Sequence, residues 1–187
     1  AQLNAYPERG LGPDELALFG RLVGRRRQGE PVAYLLGWRE FYGRRFEVGP
    51  AVLIPRPETE LVVELALERI DPTAAVQVVD LGTASGNVTA TLALERPRTS
   101  VTAVDASPAA LAIARRNGAA LGATRVEWLA GDWFVPLAGR RFDLVVANPP
   151  YVPERDPHLG KGDLRFEPRA ALSAGSDGLA AIRRIVA

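Results

Sequence analysis

The tetrapeptide Asn148-Pro149-Pro150-Tyr151 has residue types and a spacing that could hold a flat amino group. The two prolines restrict the backbone, so the Asn148 side chain and the Asn148 and Pro149 carbonyls point in set directions. A planar –NH₂ group has two donors, which the Asn148 side-chain oxygen and the Pro149 carbonyl can accept while Tyr151 lies against its face. Such a clamp positions a weakly nucleophilic nitrogen for attack on a sulfonium methyl group without a strong base. The alternative is a proline-rich loop that merely ends a strand.

The segment from Asp80 to Asn87 is rich in small residues and precedes a predicted helix. Small residues let a ligand approach the backbone closely, and the helix offers free N–H groups and the positive end of its dipole. Ala84 and Asn87 stand where a dinucleotide fingerprint needs its second and third glycines, which disfavours a nicotinamide cofactor. The loop therefore favours a nucleotide-like ligand with a negative charge, and the alternative is a tight turn. Its candidate contacts are Asp80, Gly82, Thr83, Ala84 and Gly86.

Two more loops carry acidic residues directly after predicted strands. Asp105 lies roughly 20 residues beyond the Gly-rich loop, where a carboxylate can accept both hydroxyl protons of a ribose. Its alternative role is to assist Ser107 in capping a helix. Asp132 and Trp133 could bond the exocyclic amine of adenine and cover its face, whereas core packing is the alternative for Trp133.

These loops connect predicted strands and helices that alternate along the chain. Apolar runs predict strands at 76–81, 101–104, 125–129 and 142–147, with helices at about 88–95 and 108–121 between them. Upstream, the sequence predicts a helix to about Arg27, a β-hairpin within 38–48 and a helix that ends near Ile70. The pattern indicates an α/β protein with a doubly wound, mostly parallel sheet, whose ligands lie over the carboxyl ends of the strands.

The composition narrows the classes of protein and of site. The 187 residues are 47% hydrophobic and 24% charged, as in a globular protein, and no apolar run is long enough to span a membrane. The absence of cysteine excludes thiolate ligands, and the single histidine, His158, has no clustered partners, so we expect no metal site. The net charge of +1 predicts no direct nucleic-acid binding. We expect a cytoplasmic monomer.

With these motifs, the chain resembles the HemK/PrmC family of protein-glutamine N5-methyltransferases. The resemblance runs from about Gln28 to the end. The Asn-Pro-Pro-Tyr motif is shared with adenine N6-methyltransferases, and it is the segments Arg39 to Gly43 and Ile54 to Glu60 that make the resemblance specific. The other matching segments are Gly29 to Tyr34, Phe166 to Arg169 and Ser176 to Leu179.

The resemblance implies a Rossmann-like, class I S-adenosylmethionine-dependent methyltransferase that releases S-adenosylhomocysteine. Its partner would be a class-1 peptide-chain release factor, whose Gly-Gly-Gln glutamine would occupy the Asn148 to Tyr151 clamp. Gly82 to Gly86 would hold the methionine end of the cofactor, Asp105 the ribose and Trp133 the adenine region. By the same resemblance Phe41 and Thr59 close the cofactor pocket, with a purely structural role as the alternative. Phe166 to Arg169 would order a loop through a Glu167–Arg169 pair.

The resemblance also implies a division of the chain into three parts. Residues 1–28 would be the remnant of an N-terminal helical substrate-binding domain, 29–58 a linker with the hairpin, and 59–187 the cofactor-binding methyltransferase domain. The family's sheet has the strand order 3-2-1-4-5-7-6, so we expect this chain to be truncated after strand four, which then forms a sheet edge. Ala84 departs from the family, because a glycine is common at that position.

Three other functions predict different sequence features. An adenine N6-methyltransferase acting on DNA or RNA predicts an added target-reading segment and a basic groove. A non-catalytic module that binds a nucleotide or a release factor would not need Asn148 and Tyr151 together. A nicotinamide oxidoreductase is disfavoured by the glycine spacing of the 80–87 loop.

Overall fold

The structure, a computed structural model, describes residues 10–187. Its first helix, α1 (Pro13–Arg27), starts with a proline and the acidic Asp14 and Glu15 and ends in three arginines, as the helix dipole favours. Helix α2 (Val32–Leu36) follows and buries Ala33 and Tyr34. The predicted helix to about Arg27 is confirmed, whereas residues 1–9 of the predicted N-terminal segment lie outside the described residues.

The predicted hairpin consists of β1 (Trp38–Phe41) and β2 (Arg44–Glu47), paired antiparallel with Phe41 opposite Arg44. Its two turn residues, Tyr42 and Gly43, have φ of 51° and 69°, the left-handed pair that two-residue hairpins favour. Phe41 and Phe46 turn into the core, where their rings meet edge to face with centroids 6.1 Å apart. The hairpin is thus a side layer of the core.

A four-stranded parallel sheet forms the centre of the molecule, in the order β5-β4-β3-β6. Its strands are β3 (Gln77–Leu81), β4 (Ser100–Asp105), β5 (Val126–Ala130) and β6 (Leu144–Ala147). If β3, β4, β5 and β6 are numbered 1 to 4 in chain order, the sheet has the order 3-2-1-4, which confirms the expected topology. Chain order reverses between β3 and β6, and such a reversal opens a crevice at the carboxyl ends of the strands.

Helices alternate with the strands as predicted: α3 (Glu60–Arg69), α4 (Asn87–Glu95) and α5 (Pro108–Leu121). Helix α5 begins where the Ser107 hydroxyl accepts the Ala110 N–H at 3.2 Å, and it ends at Gly122 with φ 78°. One face of the sheet packs on α3, α4 and the hairpin. The opposite face, with Val79, Leu81 and Val104, packs on Leu137 and on Ile185 of the last helix.

The chain beyond β6 consists of short elements. Two 3₁₀ turns (Pro157–Gly160 and Gly162–Phe166) lead to α6 (Arg169–Leu172) and α7 (Ala180–Val186). Strand β6 is an edge of the described sheet, and its Val145 is 44% exposed, in agreement with the expected edge position. Across residues 10–187 no helix is both long and apolar enough to cross a bilayer.

Candidate active site

Asn148 follows β6 directly and lies at the meeting point of three cavities. One cavity of about 240 Å³ faces the loops after β3, β4 and β5. Another of about 310 Å³ lies on the side of Tyr151, and a narrow space of about 20 Å³ lies beside Asp80. Asn148 lines all three. We call them the β-loop cavity, the Tyr151 cavity and the narrow cavity.

The β-loop cavity collects predicted residues from the ends of all four strands. This follows from the parallel register, which aligns Leu81 with Ala147 and Asp105 with Ala130 at one edge of the sheet. The predicted residues that line it are Gly82, Ala84, Asp105, Asp132, Trp133, Asn148 and Pro150.

Asp105 is the last residue of β4 and joins two loops through its carboxylate. Oδ2 accepts the backbone N–H of Ala84 and Oδ1 that of Ser107, each at 2.8 Å. Burial raises the pKa of Asp105, while these two backbone hydrogen bonds oppose the rise. The alternative of assisting the Ser107 cap is therefore present in the structure, and the same carboxylate also lines the β-loop cavity.

The loop after β3 contains backbone conformations that explain its small residues. Ala84 has φ 49°, a left-handed conformation that costs an L-residue roughly 1–2 kcal/mol and that glycine adopts freely. The resemblance implies a glycine at this position, and glycine would adopt this conformation without that cost. Gly86 has φ 76°, and a Cβ there would lie 3.1 Å from both Ala114 Cβ and Trp128 Cη2. Gly86 thus serves helix packing as well as the turn.

Asp80 and Thr83 form a buried polar group beside the narrow cavity. Thr89 donates its hydroxyl to Asp80 Oδ2 at 2.6 Å, and its Oγ1 lies 2.9 Å from Thr83 Oγ1. Asp80 is only 2% exposed, and this burial raises the pKa of its carboxyl to about 6. The group stabilises the start of α4, because Thr89 belongs to that helix.

Asp132 and Trp133 occupy different environments although they are neighbours. The Trp133 ring lies over the Gly82 backbone, where a Cβ would be 3.7 Å from the ring, and it also packs against the Val79 and Leu81 cluster. It therefore lines the cavity and packs on the core at once. Asp132 forms an ion pair with Arg184 at 2.7 Å, so its carboxylate has a cationic partner that sequence reasoning missed.

The Tyr151 cavity contains the rest of the predicted clamp. Pro149, Pro150 and Tyr151 line it, and Tyr151 is 63% exposed. Asn148 Nδ2 donates to Thr59 Oγ1 at 3.2 Å, and within residues 10–187 no group donates to Asn148 Oδ1. The carboxamide oxygen is therefore the end of Asn148 that is open to a donor from a ligand.

Phe41 and Thr59, which the resemblance assigned to the cofactor pocket, lie in different places. Phe41 is 1% exposed within the core and lines none of the three cavities, which agrees with the structural alternative. Its strand parity turns the ring into the core cluster, where its aromatic partner is Phe46. Thr59 is 7% exposed and lines the narrow and Tyr151 cavities, but not the β-loop cavity.

The predicted Glu167–Arg169 pair is wrong. Glu167 instead accepts the Ile54 N–H at 2.9 Å and pairs with Arg56, while Arg169 donates to the Glu154 carbonyl at 2.7 Å. The reason is that Glu167 turns inward, with a side chain 0% exposed, whereas Arg169 begins α6 at the surface. This contact anchors the segment before Thr59 to the segment that precedes α6.

Gly178 supports the clamp by a close backbone approach that the sequence did not reveal. Its φ is 78°, and a Cβ there would collide with the Tyr151 carbonyl oxygen and lie 3.0 Å from the carbonyl carbon. Val152 extends the contact, since its N–H donates to Leu172 O at 2.9 Å and its carbonyl accepts Ala174 N–H at 3.1 Å. The segment 172–178 thus fixes the backbone on the C-terminal side of Tyr151.

Comparison with known proteins gives this site a family. Residues 59–161 match the family described as Methyltransferase small domain, and residues 1–37 match PrmC N-terminal domain. The release factor glutamine methyltransferase of Bordetella pertussis is 52% identical over 186 residues, covering 99% of this chain and 68% of the relative. The chain belongs to the release factor glutamine methyltransferase family. Two further members, from Burkholderia pseudomallei and Neisseria gonorrhoeae, are 53% and 55% identical, covering 91% and 92% of this chain.

The chain spans about two thirds of the length of these family members: 68%, 62% and 63% in the three cases. The region shared with the Bordetella pertussis relative, 99% of this chain, contains β3 to β6 and all three cavities. The division of the chain into three parts, with boundaries after residues 28 and 58, stays a prediction.

Proposed function

We propose that this chain carries the cofactor site and the catalytic clamp of an S-adenosylmethionine-dependent enzyme that methylates N5 of a glutamine. The substrate glutamine is that of the Gly-Gly-Gln motif in class-1 peptide-chain release factors, so the enzyme acts in the cytoplasm. The supporting observation is that Asn148 lies between the β-loop cavity and the Tyr151 cavity. A methyl donor in one cavity and an amide in the other would meet at this side chain.

The β-loop cavity has the chemistry that S-adenosylmethionine requires. The Asp105 oxygens each accept one backbone N–H and retain acceptor capacity for the ribose hydroxyls. Trp133 would offer a flat face to adenine beside Asp132. The close backbone at Gly82 to Ala84, with Asp80 and Thr83 in the lining of the narrow cavity, would hold the methionine end. When bound, S-adenosylmethionine supplies the electrophilic methyl group.

The clamp makes the amide nitrogen a better nucleophile by orientation. Asn148 Oδ1 and the Pro149 carbonyl accept the two N–H bonds of the substrate amide, and Tyr151 lies against its plane. Holding both hydrogens favours localisation of the nitrogen lone pair, which is otherwise delocalised into the carbonyl, and stabilises the positive charge that develops there. The methyl group would leave the cofactor sulfur, so that S-adenosylhomocysteine is released, and the methylated nitrogen would then be acidic and lose one proton. A dedicated general base is therefore not required.

Methyl transfer from labelled S-adenosylmethionine tests this proposal in the full-length enzyme. Three substrates are offered in parallel: native release factor, its Gly-Gly-Gln→Gly-Gly-Ala variant and duplex DNA. We expect label on the native factor alone. Label on DNA with none on the factor would overturn the glutamine assignment and support the adenine N6-methyltransferase alternative.

A further inference from the structure

We propose that Thr59 is a positioning residue that holds the Asn148 carboxamide in its reactive orientation. The proposal rests on the function proposed above. Thr59 Oγ1 accepts a hydrogen bond from Asn148 Nδ2 at 3.2 Å, across 89 residues of sequence. Nothing in the 148–151 motif itself holds this end of the amide.

Thr59 is well suited to fix another side chain because its own position is rigid. It ends the 3₁₀ turn Pro57–Thr59, and its backbone N–H donates to Arg56 O at 3.0 Å. Pro57 restricts the start of the turn, and α3 continues directly from it. The residue as a whole is 7% exposed, so packing as well as the turn restricts its side chain.

The orientation matters because the two ends of a carboxamide have opposite hydrogen-bonding capacity. A substrate amide presents N–H donors, so only the Asn148 oxygen can receive them. A threonine hydroxyl can either accept or donate a hydrogen bond. Thr59 alone therefore fixes the plane of the Asn148 carboxamide, but not which of its two ends faces the hydroxyl. With the substrate present, both ends of Asn148 are satisfied only if Oδ1 faces the substrate and Nδ2 donates to Thr59.

Thr59 borders the clamp and only one part of the proposed cofactor site. It lines the Tyr151 cavity and, with Asp80 and Thr83, the narrow cavity, but not the β-loop cavity that Asp105 and Trp133 line. Loss of its hydroxyl should therefore reduce turnover by more than it weakens cofactor binding.

The test uses Thr59→Val, which removes the hydroxyl at nearly constant volume, and Thr59→Ser, which keeps it. In the full-length enzyme we expect kcat to fall about 10-fold in Thr59→Val, as for loss of one hydrogen bond realised in the transition state, and to recover in Thr59→Ser. The Kd for S-adenosylmethionine, measured by calorimetry, should differ among the three proteins by much less than kcat does.

A double-variant cycle excludes a merely structural effect. In an Asn148→Ala background Thr59→Val should cause no further loss of kcat, because the group that it positions is absent. An equal loss in both backgrounds would overturn the proposal, as would weaker cofactor binding with unchanged kcat. The cycle is measured on whichever substrate the wild-type enzyme labels. Failure of the release-factor assignment therefore remains distinguishable from failure of the Thr59 role.

Discussion

At the residue scale, the carboxamide of Asn148 lies between the β-loop cavity and the Tyr151 cavity. Its removal should therefore slow methyl transfer while cofactor binding is retained. In Asn148→Ala we expect turnover to fall roughly 100-fold or more, because a polar group that acts in the transition state is removed. The cofactor Kd should change little, since Asp105 and Trp133 remain. Single-turnover methylation and calorimetry measure the two quantities separately. An unchanged rate would remove Asn148 from the mechanism.

Also at the residue scale, the buried carboxyl of Asp80 predicts how the free energy of unfolding depends on pH. Its pKa rises from 3.8 to about 6 on folding, so the native state binds this proton more tightly than the unfolded chain does. Its stabilising contribution is present below about pH 4 and is lost as pH rises through about 6, roughly 3 kcal/mol in all. Asp80→Asn keeps the shape and removes this titration. Relative to wild type, its free energy of unfolding should therefore improve by about that amount from pH 4 to pH 7. If urea unfolding gave wild type and Asp80→Asn the same dependence of the unfolding free energy on pH, the raised pKa assigned to the buried Asp80 would be wrong.

At the element scale, the turn that contains Gly178 supports the clamp through the Tyr151 backbone. Gly178→Ala should lower turnover, because its Cβ would displace the Tyr151 carbonyl. Gly175→Ala is the matched control: its φ of 72° imposes similar backbone strain of about 1 kcal/mol, but its Cβ would meet Ala180 at 3.1 Å. We expect both variants to lower the melting temperature and only Gly178→Ala to lower kcat substantially. Equal kinetic losses would show that the Tyr151 contact is unimportant.

At the scale of the whole molecule, Glu167 joins segments 113 residues apart by accepting the Ile54 N–H and pairing with Arg56. Glu167→Gln removes the charge of a fully buried side chain and leaves Arg56, itself 33% exposed, without its anion. We expect the free energy of unfolding to fall by roughly 1–3 kcal/mol. Asp177→Asn, which breaks the exposed pair with Arg183, should cost much less, because solvent screens that pair. Similar losses in urea titrations of the two variants would refute the burial argument.

The sequence by itself determined the alternation of strands and helices and the loops that line the cavities. These features depend on local properties: apolar periodicity, capping residues such as Ser107, and restricted backbones at Pro149 and Pro150. Because parallel strands align their carboxyl ends, residues of those loops could be predicted to converge before their distances were known. The strand ends differed from prediction by only one or two residues.

Only the tertiary structure decided which distant residues support that site. Sequence proximity suggested a Glu167–Arg169 pair, yet Glu167 reaches Arg56, and Thr59 reaches Asn148. Phe41 likewise lies in the core, in one cluster with residues of the sheet and of helices α3 and α4. Such contacts arise when whole elements pack against one another, and local conformational preferences carry no information about which pairs then meet.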